Sequence, residues 1–152
     1  MKQLVDVRTI PKSRRNPQFG QDQLAATLAQ HGIMYTHMPG LGGLRHARKD
    51  SINTGWKNAS FRGYADYMQT AAFDENLTKL SELATGAPTA IMCAEAVPWR
   101  CHRSLIADAL MARGIQAEHI LSATTRKRHT YNAFARVEGE RITYPGLPLD
   151  HS

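Results

Sequence analysis

No run of this sequence stays apolar for the roughly 18–20 residues that a membrane-spanning helix needs, so no membrane role is expected. Cysteine is scarce: Cys93 and Cys101 are the whole complement, too few for a disulfide framework, and they do not form a Cys-x-x-Cys pair. In a reducing compartment both are expected as free thiols, which favours chemistry or metal ligation over stapling. The first residues, Met1-Lys2-Gln3-Leu4-Val5-Asp6, lack the apolar core of a signal peptide, and a cytoplasmic location is the default expectation. Repeats, low-complexity tracts and composition shifts are missing too. The 152 residues are therefore expected to form one α/β domain, residues 1–152.

What is present is an ordinary globular balance with an excess of positive charge. Apolar residues make up 42% and charged residues 21%, which excludes a disordered chain. The net charge of +6 favours anionic partners such as nucleotides or nucleic acid; a merely basic, soluble protein is the other reading.

The periodicity alternates between strand and helix. Residues 4–7 read as a short buried strand and residues 9–20 as a loop rich in proline and basic residues. Leu24, Ala25 and Leu28 mark an amphipathic helix over 21–31, stopped by Gly32. A second strand spans 33–37, and a long irregular segment follows over 38–58, of the kind that is usually functional or mobile. Helices are predicted over 60–71 and 74–84, with Ser60 and Asp74 as their N-caps. Residues 88–94 are the clearest buried strand. A helix then runs from about 101 or 102 to Arg113, its apolar face made of Leu105, Ile106, Ala109, Leu110 and Ala112. A fourth strand is expected over 117–121, and a short C-terminal β-hairpin over 133–144 that turns at Glu138-Gly139. The alternation predicts a mostly parallel sheet with helices on both faces. Ligands in such sheets bind beyond the carboxyl ends of the strands, which puts Asp6, Arg8, His37, Cys93 and Glu95 on one edge.

Two segments on that edge carry chemistry. From Cys93 to Ser104 a strand ends and a helix starts with Cys101, His102, Arg103 and Ser104. A helix start offers free N–H groups and a positive dipole end to an anion, and Arg103 adds planar, bidentate hydrogen bonding. A thiol there is activated, His102 suits acid–base work near neutral pH, and Glu95 does so if desolvation raises its pKa. Cys93, Glu95, Cys101 and His102 are thus the candidate catalytic residues. Each has a plainer reading: Cys93 as a core residue, Cys101 and His102 as helix caps, Arg103 as a solvated face. In the other segment, Arg8, Ser13, Arg14 and Arg15 are candidate phosphate ligands alongside Arg103 and Ser104, with the alternative that Asp6 and Arg8 pair with each other. Cysteine, histidine and glutamate are also suitable metal ligands, although the spacing matches no familiar zinc pattern. The basic stretches Arg45-His46-Ala47-Arg48-Lys49 and Arg126-Lys127-Arg128-His129 fall in expected loops, with Trp56 and Trp99 among nearby aromatics. Such interleaving suits a single strand or a flipped base.

The stretch from Val5-Asp6-Val7-Arg8 to Pro17-Gln18-Phe19 resembles the first signature of the domain of unknown function 488 family. Leu41-Gly42-Gly43, Phe61-Arg62-Gly63-Tyr64-Ala65-Asp66-Tyr67-Met68, and Met92-Cys93-Ala94-Glu95 through Cys101-His102-Arg103-Ser104-Leu105-Ile106-Ala107 resemble the others, in consistent order from about residue 4 to 146. The resemblance implies a compact α/β domain and points to the same polar residues, but brings no reaction, substrate or cofactor with it. Family members usually begin with a further strand and helix, so the resemblance also implies either a lost first β-α unit or a misassigned start site; the loss would expose a sheet edge and invite a homodimer. Three functions follow in order: an enzyme acting on a nucleotide or nucleic acid, a non-catalytic nucleic-acid-binding module, and a metal or redox thiol protein.

Overall fold

The computed structural model describes residues 1–8, 20–43, 45–93, 102–121 and 124–146. They form two compact units, Met1–Gly43 with Asp74–Ala94, and Leu44–Phe73 with Glu95–Ser152. Among the described residues no helix is long and apolar enough to cross a membrane.

The first unit is built on a three-stranded parallel sheet. Its strands are β1 (Gln3–Asp6), β2 (Met34–His37) and β3 (Thr89–Met92), in the order β2-β1-β3. Every residue of β1 is buried, as the central strand of a parallel sheet requires. Asp6 pairs with His37 on one side and Met92 on the other, so the three strands end level. Helix α1 (Gln21–Gln30) lies within the range expected for it. It ends as Gly32 predicts: at φ +71° this residue takes the left-handed turn, and Ile33 N–H donates to Leu28 O at 2.9 Å, closing a Schellman motif. A short 3-10 helix at Pro39–Leu41 follows β2. Helix α3 (Ala71–Gly86) contributes its residues from Asp74 onward, and buries Leu77 and Leu80.

The second unit holds α2 (Ala59–Tyr67), α4 (Arg103–Ala112) and two antiparallel ribbons. Strand β4 (Glu118–Ile120) pairs with β5 (Arg126–Arg128), and β6 (Arg136–Glu138) with β7 (Arg141–Thr143). The expected C-terminal hairpin thus forms, but it turns at Gly139-Glu140, one residue later than expected, with Gly139 at φ +63°. The fourth expected strand also forms, but it takes an antiparallel partner outside the parallel sheet. Three consecutive basic residues show no apolar alternation, so residues 126–128 are expected in a loop; pairing with β4 makes them a strand. Tyr64, Leu105, Ile106 and Tyr144 are fully buried in this unit.

Both predicted N-caps move. Helix α2 is capped by Asn58, whose side chain accepts from Ser60 N and Phe61 N at 2.8 and 3.2 Å. Helix α3 starts three residues before Asp74, with Thr70 Oγ1 accepting from Phe73 N at 3.2 Å. Asp74 instead places negative charge in the first turn, where the helix dipole favours it.

The irregular segment before α2 is held by a buried carboxylate. Asp66 Oδ1 accepts from Ser51 Oγ at 2.5 Å and Asn53 Nδ2 at 2.8 Å, and Oδ2 accepts from Arg48 N at 2.8 Å. Asn53, fully buried, in turn accepts from Tyr144 N at 2.8 Å through Oδ1. The segment passes so close to α2 that a Cβ on Gly63 would lie 2.3 Å from Arg45 O and 2.8 Å from Ala47 N. Both are backbone atoms that cannot swing aside. Gly63→Ala is therefore expected to destabilise the second unit by about 1–3 kcal/mol. Urea unfolding followed by tryptophan fluorescence measures this, since Trp56 belongs to the same unit; an unchanged midpoint would contradict the close approach.

Candidate functional site

At the carboxyl ends of the parallel strands, Asp6 and Arg8 meet each other. Arg8 Nε and Nη2 donate to Asp6 Oδ1 and Oδ2 at 2.9 and 2.7 Å, a bidentate charge-assisted pair in which both side chains are almost wholly buried. Tyr35 OH adds a 2.5 Å bond to Oδ2, and His37 Nε2 donates to Arg8 O at 2.7 Å. Burial alone would raise the Asp6 pKa, but the hydrogen bonds from Arg8 and Tyr35 outweigh it and hold the carboxyl below its ordinary value. The same contact raises Arg8, and burial followed by the bond to Asp6 raises Tyr35. Of the two readings of Arg8, pairing with Asp6 is the one the geometry displays.

Cys93 follows β3 and is buried. Its sulfur is in a disulfide, so the free thiol expected at this position is not present. The expectation assumed a reducing compartment, which composition does not establish. Ser13, Arg14, Arg15, Glu95 and Cys101, together with Trp99, lie outside the described residues.

In the second unit, His102, Arg103 and Ser104 stand at the start of α4. His102 is the N-cap residue of α4, its carbonyl accepting from Leu105 N and Ile106 N at 3.0 and 3.1 Å, without a side-chain capping bond; its ring packs on Tyr64 at 4.7 Å. Ser104 is buried and Arg103 half-buried. The basic segment at 45–49 is engaged locally: Arg45 lies 3.7 Å over the Tyr67 ring, a cation–π contact, and Arg48 pairs with Asp50. Trp56 packs edge-on against Phe61 and Phe134 at 5.0 and 4.7 Å. It belongs to an aromatic cluster and is no open stacking platform.

The most developed polar constellation is one that the sequence reading overlooked. Asp108, in the middle of α4, has no exposed surface and accepts four hydrogen bonds. Oδ1 takes His129 Nε2 at 2.6 Å and Asn132 N at 3.2 Å; Oδ2 takes Asn132 Nδ2 and Tyr144 OH, both at 2.7 Å. The chain continues outward, because His119 Nε2 lies 2.7 Å from His129 Nδ1. His129 is buried, and His119 is half-buried on β4, opposite Lys127 of β5. Tyr144 stays a phenol, its pKa raised by burial and then by Asp108. His119 is pushed below the usual imidazole value by burial, then by His129, Arg103 and Lys127, with Asp108 acting the other way. A signal was available: Asp108 sits among Leu105, Ile106 and Ala109 on the apolar face of a predicted helix. A carboxylate there must be paired to be tolerated. Among the described residues no group of three or more His, Cys, Asp and Glu side chains is arranged to hold a metal ion.

The family model of the domain of unknown function DUF488 matches residues 1–110. The chain belongs to this family. No curated protein and no solved structure matches it. The matched segment of this DUF488 member contains Asp6, Arg8, Cys93, His102, Arg103 and Asp108. His119, His129 and Tyr144 lie beyond it.

The Asp6–Arg8 pair generates a stability prediction. Asp6→Asn leaves a buried guanidinium with a weakened partner and is expected to cost about 3–5 kcal/mol, read by chemical denaturation; a loss below about 1 kcal/mol would show the pair to be dispensable. Because the folded pKa of Asp6 lies below its unfolded value of 3.8, its contribution is present above about pH 4. It is lost as pH falls through the folded value. The acid limb of stability should therefore flatten in Asp6→Asn.

Proposed function

We propose that this protein acts on a phosphate-bearing ligand, a nucleotide or nucleic acid, held by the basic face of its second unit. The observation that carries the reading is the β4–β5 ribbon. Arg126, Lys127 and Arg128 are consecutive on β5 and all three are exposed. Side chains alternate along a strand, so this ribbon presents positive charge on both faces. Nearly all of the chain's net positive charge falls within the same unit. Arg103 and Ser104 add a cation and a hydroxyl at the first turn of α4, an end that favours negative charge, and the charges of both Arg103 and Lys127 reach His119. His102 and Glu95, in the same unit, remain candidates for acid–base roles. Arg8 serves structure in this reading, since Asp6 occupies its guanidinium.

The test is binding of labelled single-stranded and double-stranded oligonucleotides across a salt series, with a nucleoside triphosphate as competitor. Saturable binding with a steep salt dependence is expected. Substituting Lys127→Ala should reduce the slope by about one, the amount for one lost phosphate contact. Absence of saturable binding to either oligonucleotide or nucleotide at about 50 mM salt, where such contacts are strong, would overturn the reading.

A further inference from the structure

Asp108, His129 and His119 form a continuous hydrogen-bonded chain. Asp108 receives hydrogens from Tyr144, from the Asn132 amide and from the Asn132 backbone, so His129 meets it as a fourth donor through Nε2–H. With His129 accepting at Nδ1, the hydrogen in the 2.7 Å contact comes from His119 Nε2. This places the His119 lone pair on Nδ1. Among the described residues no hydrogen bond uses that atom, and it is not among the buried polar atoms. An open imidazole nitrogen thus stands at the outer end of a relay whose inner end is a buried carboxylate, and Lys127 is its cross-strand neighbour.

We propose that His119 is a general base for cleavage of RNA at phosphodiesters that bear an adjacent 2′-hydroxyl. The inference rests on the phosphate-binding reading above and names its chemistry. The site offers one base and positive charge, and the substrate that asks for nothing more carries its own nucleophile beside the phosphorus, already in reach. His119 Nδ1 takes the 2′-hydroxyl proton as O2′ forms a bond to phosphorus. The bond from phosphorus to O5′ breaks, its electron pair leaves with O5′, and that oxygen takes a proton from water. The products are a 2′,3′-cyclic phosphate and a 5′-hydroxyl, and His119 returns its proton to solvent. Lys127 and Arg103 offset the negative charge that gathers on the phosphoryl oxygens. As His119 gains its proton, the Nε2 hydrogen can shift to His129 Nδ1, setting the imidazolium against Asp108. Burial, then His129, Arg103 and Lys127, lower the His119 pKa, which favours the neutral form that a general base needs. His129 and Asp108 are positioning residues, acting through His119.

The experiment uses the full chain and three labelled oligonucleotides of one sequence: all RNA, all DNA, and DNA with a single ribonucleotide. Cleavage of the all-RNA strand, and of the mixed strand only after its ribonucleotide, leaving a 2′,3′-cyclic phosphate, is expected. His119→Ala, on a half-exposed ribbon position, should lower the rate at least about 10²-fold, the lower bound for loss of a general base, while binding of the all-DNA strand persists. Asp108→Asn, checked for folding by the same DNA binding, should lower the rate and move the acid limb of the pH–rate profile downward, because Asp108 raises the His119 pKa. Binding without ribonucleotide-dependent cleavage, or cleavage unchanged in His119→Ala, overturns the proposal and leaves the phosphate-binding reading standing. Absence of binding removes both.

Discussion

A carboxylate without water must be answered by donors, and in the second unit that requirement organises the structure. Asp108 has no exposed surface and four hydrogen bonds, drawn from the end of β5, the chain at Asn132 and the residue after β7. Each is worth little by itself, since folding exchanges one hydrogen bond for another. Their collective effect is geometric: an unmet acceptor in this position would be costly, so the segments that carry the donors are held to α4. The β4–β5 ribbon inherits its placement from this arrangement through His129. The exposed cations of β5 therefore stand on a framework set by a buried anion.

Asp66 and Asp6 repeat the principle with different outcomes. Asp66 gathers Arg48 N, Ser51 and Asn53, which gives an irregular segment a fixed path. It explains how so many residues without regular structure remain packed against α2, and why Gly63 belongs where they touch. Asp6 gathers Arg8 and Tyr35, and its pair is complete within its own unit. Ionisable groups at strand ends in α/β sheets are natural candidates for ligands. Here the bidentate geometry uses two of the guanidinium nitrogens before any ligand arrives.

Much of the local structure was legible in the residues. Gly32 announces the helix end that it in fact makes, because a left-handed residue after a helix is cheapest without a Cβ. The run of Ala90, Ile91 and Met92 identifies β3, although its residues are half-buried rather than buried, and Gly139 identifies the last hairpin. The caps of α2 and α3 were misplaced by two to four residues, because several residues able to cap lie close together and only packing chooses among them. Arg126-Lys127-Arg128 gave no strand signal, since its partner strand, not its own pattern, makes it extended.

The candidate site divides along the same line. Composition and order determined a basic α/β protein of the DUF488 family, with Arg103 and Ser104 at the start of a helix and Asp6 and Arg8 at the end of a strand. These follow from periodicity and short-range stereochemistry, which neighbouring residues settle among themselves. Which acid meets which base was decided only in three dimensions. Asp108, His119 and His129 are 21 positions apart end to end, and no local rule couples them; they meet because a buried carboxylate must find donors wherever the packed chain brings them. The oxidation of Cys93 likewise depends on what packing and compartment place against its sulfur, which its neighbours in sequence do not determine.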